Sequence, residues 1–212
     1  MVPLGYWLWL DRYKGSHELT ILVLSVPIIF SYVIPALGMN WLEIWEFDTR
    51  FKIGRIRPHH GFLFGSATSL FALLCLPYPW EGSASLEAFR AGIVLGSVIA
   101  FWNWLYDLHA IRVGFIRVYN RPHFEGKGPE AIATDYAPVL FGTFGFCYGA
   151  FIRIAEACLI RGAPHPGAWV LWGIGLLVSL VVPVLAAITH GLIMNGETGL
   201  RTYKHRLRAD PE

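Results

Sequence analysis

Five long apolar runs dominate this chain, and each is close to the length that a lipid bilayer dictates. A helix needs about 20 mostly apolar residues to cross the hydrocarbon core, where every backbone polar group must be satisfied within the segment. The runs cover residues 19–39, 60–76, 86–106, 136–160 and 168–193. Pro35 and Pro183 fall inside them, which is tolerable where neighbouring helices or waters take up the freed carbonyls. Gly92, Gly96, Gly142 and Gly145 suit close approach of helices. The expectation is an all-α fold: a polytopic membrane helix bundle of about five transmembrane helices, forming one domain over residues 1–212. Charged residues make up 15% of the chain, against about a quarter in soluble domains, so an ordinary soluble domain is excluded. Met1 to Leu10 is apolar and Trp-rich but too short to span, and is expected to lie in the membrane interface. It lacks a signal-peptide cleavage pattern. Cys75, Cys147 and Cys158 sit inside apolar runs without metal-ligand spacing, and read as buried small hydrophobes.

Between the runs, the loops alternate in charge. The loop after the first run holds Arg50, Lys52, Arg55 and Arg57, and the loop after the third holds Arg112, Arg117, Arg121 and Lys127. The segment after the fifth holds Arg201, Lys204, Arg206 and Arg208, whereas the other two loops have only Arg90 and Arg161 at their edges. Basic residues stay on the cytoplasmic side. The chain is therefore expected to run N-terminus out and C-terminus in, opposed only by Arg12 and Lys14. The polar cytoplasmic segments are then about 40–59 and 107–134, with a basic tail at 195–212. A net charge of +2 is too small to argue for nucleic acid as a partner.

Trp45 to Gly61 is the densest polar segment. Topology and attraction to anionic headgroups account for most of its basic charge. They do not account for carboxylates, so Asp48, Asp107 and Asp135 are the more informative residues. Asp135, just before the fourth run, is also a candidate helix N-cap. His59 and His60 are adjacent and would point about 100° apart on a helix, a poor chelate for one metal. At a helix N-terminus either can still contact an anion. The two polar loops share one side of the membrane, where they are expected to face each other. Together they offer carboxylates for a hard cation and guanidiniums for phosphate oxygens. Arg153 and Glu156, three apart in the fourth run, are read as a structural pair. Asn103, His190 and Asn195 are weaker candidates.

Three segments in order resemble the CDP-archaeol synthase family of integral membrane, CTP-dependent cytidylyltransferases. Pro35-Ala-Leu-Gly-Met-Asn40 is similar to the family's pattern at the end of its first helix. Asp48, then Gly54-Arg55 and the glycines Gly61 and Gly65, are similar to the approach to its second helix. Asp107, Gly114-Phe-Ile-Arg117, Gly128-Pro129, and Asp135 ahead of Val139-Leu-Phe-Gly142 are similar to the region between its third and fourth helices. The chain departs from the family in three places. Arg57-Pro-His-His-Gly61 stands where the family has Lys-Thr-Trp-Arg-Gly, and Val118-Tyr119 where it has a double Arg. About four extra residues follow Asp107.

The resemblance implies a membrane-embedded transferase acting on a phosphate-bearing lipid with a CTP-like nucleotide at the cytoplasmic face. It implies Asp48, Asp107 and Asp135 as catalytic residues, with magnesium held by Asp107 and Asp135. It implies Asn40, Arg55, Arg57, His59, His60, Arg117, Arg121 and Lys127 as substrate-binding. The partners would be membrane lipid and nucleotide, with a homo-oligomer or membrane complex as the assembly and the plasma membrane of a prokaryote as the location. The alternative reading is a non-catalytic membrane subunit of a larger assembly, with His190 or His60 as axial ligand to haem or chlorophyll. A third is a metal-dependent phospholipid hydrolase using Asp48, His59, His60 and Asp107. No inverted repeat supports a transporter.

Overall fold

The computed structural model describes residues 1–53, 55, 57–77 and 82–204. Gly54, Arg206 and Arg208, which entered the loop and tail readings above, lie outside the described residues. The chain forms helices α1 (Val2–Arg12), α2 (His17–Ala36), α3 (His60–Cys75) and α4 (Ala84–Arg112). Two short helices follow, α5 (Arg121–Phe124) and α6 (Pro129–Thr134), then α7 (Ala137–Leu159) and α8 (Ala168–Asn195). Strands β1 (Trp45–Phe47) and β2 (Ile116–Val118) pair antiparallel. The result is an all-α membrane helix bundle with one small ribbon. Four helical segments are long and apolar enough to cross a membrane: 17–41, 84–112, 129–159 and 168–195. The expected second span is shorter. α3 has 16 residues, about 24 Å at 1.5 Å per residue.

Local chemistry sets the helix limits. Ser16 caps α2 by accepting from the Leu19 N–H, with Glu18 in the positive first turn. Pro35 lacks the N–H that would continue the ladder, and residues Leu37–Trp41 widen into a π-helical turn, closed by Leu42 N–H to the Leu37 carbonyl at 3.0 Å. Gly114 ends α4 at φ +73°, a left-handed position that glycine adopts without strain. The chain thereby turns directly into β2.

α4 and α7 make the most extensive helix pair. Its contact is built on glycine. A methyl group at Gly149 would run into the Ala91 carbonyl, and one at Gly96 into the Gly142 carbonyl. Small residues allow such backbone approach, which drives helix association where no hydrophobic force is available between helices. Phe30 of α2 stacks on Phe144 of α7 at 3.7 Å between centroids, in a core with Leu95, Ile99 and Tyr148.

The bundle has two polar ends. At one, Arg12 reaches Glu156 at 3.1 Å and also donates to the Leu76 and Pro77 carbonyls. Arg153 pairs with the same carboxylate at 2.6 Å, and the Tyr13 hydroxyl donates to it at 3.2 Å. The expected Arg153–Glu156 pair is thus part of a buried network that ties α1 to α7 and to the chain just after α3. At the other end, β1 and β2 cover a second apolar cluster of Met39, Phe47, Ala110, Ile116, Val118 and Ile132.

Candidate functional site

The ribbon joins the two polar loops. Trp45 faces Val118, Glu46 faces Arg117 and Phe47 faces Ile116. Strand alternation turns Phe47, Ile116 and Val118 inward and leaves Arg117 exposed. The loops therefore meet at one end of the bundle, as their shared side required.

Behind the ribbon lies a cavity of about 220 Å³. Its wall is chiefly apolar and aromatic, with Phe30, Phe64, Phe141, Phe144 and Ile188 among its residues. Towards the ribbon end it becomes polar: His60, Asn103, Asp107, Asn120, Asp135 and Asn195 all line it. Among the described residues, no Lys or Arg does. Asp107 is 7% exposed and accepts from the Tyr136 hydroxyl at 2.6 Å. Asp135 accepts from Asn195 Nδ2 at 2.8 Å on one oxygen and from Asn120 Nδ2 at 3.0 Å on the other. His60 packs against Phe47 and Phe64, and its buried Nδ1 has no hydrogen-bond partner.

Two expectations about Asp107 and Asp135 are corrected. The third run is expected to end at residue 106, but α4 continues past Asp107 to Arg112. Asp135 is not an N-cap: it closes α6, and Tyr136 holds the N-cap position of α7 without a side-chain cap. Both carboxylates line the cavity instead.

Of the other expected residues, His60 and the weaker candidates Asn103 and Asn195 line the cavity with these two. Asp48 lies on the ribbon's outer side, paired with Arg117 at 2.5 Å, and both are exposed. Arg55 pairs with Glu43 at 2.6 Å and donates to the Met39 carbonyl. Arg57 lies over the Phe115 and Phe47 rings and donates to His59, which stacks on Phe51. Arg121 pairs with Glu125 at 2.7 Å and donates to the Asn195 carbonyl. Lys127 pairs with the same Glu125. Asn40 is exposed in the π-helical turn. Asp48 and His59 thus stand apart from Asp107. Among the described residues there is no group of three or more His, Cys, Asp or Glu arranged to hold a metal.

Sequence reasoning did not single out Tyr136, Asn120, Glu46 or Tyr119. Glu46 accepts from Lys204 at 2.7 Å and from the Tyr119 hydroxyl. Burial alone would raise the Glu46 carboxyl, but the Lys204 and Tyr119 hydrogen bonds and the Lys204 charge outweigh it and hold it below its ordinary value. Burial, together with Glu46, pushes the Tyr119 hydroxyl up to about 12. The available signal for Asn120 was its place before Arg-Pro, where an Asn caps a helix; it does accept from the His123 N–H. No family model, curated protein or solved structure matches the chain.

Proposed function

We propose that this protein is a membrane-embedded transferase that acts on a phosphate-bearing lipid, with a nucleotide of the CTP type as donor. The observation that carries the reading is the cavity's gradient, from an aromatic and aliphatic wall built on the spans to a buried carboxylate near the polar end. An amphiphile matches such a gradient, with its chain against Phe30, Phe141 and Phe144 and its head beside Asp107. The reading also draws on the resemblance to the CDP-archaeol synthases. The plasma membrane of a prokaryote is the location that goes with it.

In the reaction, a phosphate oxygen of the lipid attacks the α-phosphorus of the nucleotide. The bond to the β-phosphate oxygen breaks, and pyrophosphate leaves. Little covalent chemistry falls to the protein; positioning and charge neutralisation dominate. Magnesium is commonly held by one or two carboxylates together with substrate phosphates. Asp107 fits that role, being buried, facing the cavity and engaged by a single neutral donor. Asp135 fits less well, because amides occupy both of its oxygens, and its role is to hold three segments in register. When bound, the ion would supply the positive charge that the described cavity lining lacks. Arg55, Arg117, Arg121 and Lys127 stand outside in exposed ion pairs. Such pairs contribute about 0–1 kcal/mol, so a phosphate dianion can displace the carboxylate partner.

Pyrophosphate release from purified protein given phosphatidate, CTP and magnesium tests the reading. Release that depends on all three and is lost in Asp107→Asn supports it. Equal release from the variant rejects it. A second reading rests on His190, whose buried Nδ1 has no hydrogen-bond partner on a helix that is largely exposed along its length. It is a pigment- or haem-binding subunit, and a Soret or chlorophyll band in the purified protein would favour it over the transferase.

A further inference from the structure

A second, smaller space adjoins the cavity. Asn120, Asp135, Asn195 and Gly199 line both and so form the wall between them. On the far side stand Arg121 and Arg201, with the Glu197 carboxylate among them. The wall joins three separate stretches of chain, after β2, between α6 and α7, and at the end of α8. Asp135 accepts from Asn120 and Asn195, Asn120 also donates to the Ile132 carbonyl, and Arg121 donates to the Asn195 carbonyl.

Residues 196–204 cross over this wall. Gly196 ends α8 in the left-handed region at φ +70°, and Gly199 follows at φ +71°. Between and beyond them, Thr198, Gly199 and Leu200 contribute directly to the cavity lining. Near α8 the Glu197 N–H donates to the Gly191 carbonyl at 3.4 Å and its carboxylate accepts from the Tyr203 hydroxyl at 2.5 Å; at the far end the segment is fastened to the ribbon and its flanks. The Lys204 ammonium meets Glu46 at 2.7 Å, the Tyr203 N–H donates to the Tyr119 carbonyl at 3.0 Å, and the Thr202 hydroxyl donates to the Glu43 carbonyl at 2.8 Å. It therefore has two glycine pivots at one end, a latch on the ribbon at the other, and cavity-lining residues in between. Hinges of this kind absorb backbone rotation without disturbing the elements they join.

We infer that residues 196–204 form a strap over the cavity. Its release, with parting of the Asn120–Asp135–Asn195 wall, joins the cavity to the outer cleft in one passage from Arg121 and Arg201 to Asp107. The closed passage explains why the described cavity lining lacks cations while two arginines lie just beyond it. Under the transferase reading, those arginines guide the anionic head of the substrate inward. The strap itself does not depend on that reading, and its test uses no substrate.

The test replaces Cys75, Cys147 and Cys158 with Ala and installs one reporter cysteine. Ser31→Cys lines the cavity; Ser66→Cys, fully buried and outside the lining, is the control. The rate of reaction with a water-soluble maleimide is measured for each, with and without Lys204→Ala plus Asn195→Ala. The strap predicts that loosening latch and wall together speeds Ser31→Cys labelling about five-fold or more, with Ser66→Cys unchanged. An unchanged rate at Ser31→Cys overturns the proposal. So does equal acceleration at both positions, which is the signature of general loosening. Pyrophosphate release is read separately, so loss of the transferase reading leaves this result standing.

Discussion

Asp107 is a carboxylate on a long apolar helix, 7% exposed and facing the cavity. Intramembrane carboxylates are costly to keep and mark functional positions. Under the transferase reading, Asp107→Asn keeps the shape and removes the charge. Pyrophosphate release should fall by about 100-fold or more, while the melting temperature in detergent holds. Tyr136→Phe has the opposite balance. It leaves the Asp107 carboxylate and removes its donor, which should cost about 1–3 kcal/mol of stability, read as a lower unfolding midpoint. At this scale, Asp107 and Asp135 were legible because orientation rules demand basic residues but no carboxylates. Tyr136 and Asn120 were not. A tyrosine at the start of a span reads as an interfacial anchor by default, and only the approach of α7 to α4 makes it a donor to Asp107.

Among the elements, the ribbon and its latch carry a pH dependence whose sign is fixed. The Glu46 carboxyl is held below its ordinary value in the folded protein, so its contribution is present above about pH 4.5 and is lost as the pH falls through the lowered folded value. The Tyr119 hydroxyl is raised to about 12, so its contribution is complete below its ordinary value and fades as the pH approaches that figure. Hydrogen-exchange protection of the Tyr203 amide, corrected for the intrinsic pH effect, should therefore decline below about pH 4.5 and stay flat through neutrality. The α4–α7 contact makes a different prediction. Gly149→Val forces a side chain against the Ala91 carbonyl and should destabilise by about 1–3 kcal/mol, seen as a lower midpoint in detergent unfolding. The helices and close glycine contacts were readable from apolar run length and small-residue placement. Three-residue strands were not, because so short an alternation is lost against longer helical patterns. The signal for the π-helical turn was Pro35.

Across the whole molecule, the Arg12–Glu156–Arg153 network bears on both stability and orientation. Glu156 is 1% exposed and serves two guanidiniums. Glu156→Gln leaves both without their shared counter-charge and should cost about 3–5 kcal/mol, measured by chemical unfolding in detergent. By charge count alone, Arg12 opposes an outward N-terminus. Paired with a buried carboxylate, it no longer weighs with the loop arginines. A membrane-impermeant amine reagent applied to intact cells should then modify Lys14 and spare Lys127; the reverse pattern would invert the orientation.

α3 has a consequence for the lipid itself. Its 16 residues extend about 24 Å, some 6 Å less than a hydrocarbon layer of about 30 Å. The neighbouring spans have 25 to 31 residues, so the shortfall falls on one flank alone. Lipid accommodates a short helix by thinning locally. On that flank His60, Phe64 and Thr68 of α3 form part of the cavity wall. Thinning there would shorten the path through hydrocarbon from a headgroup to this wall.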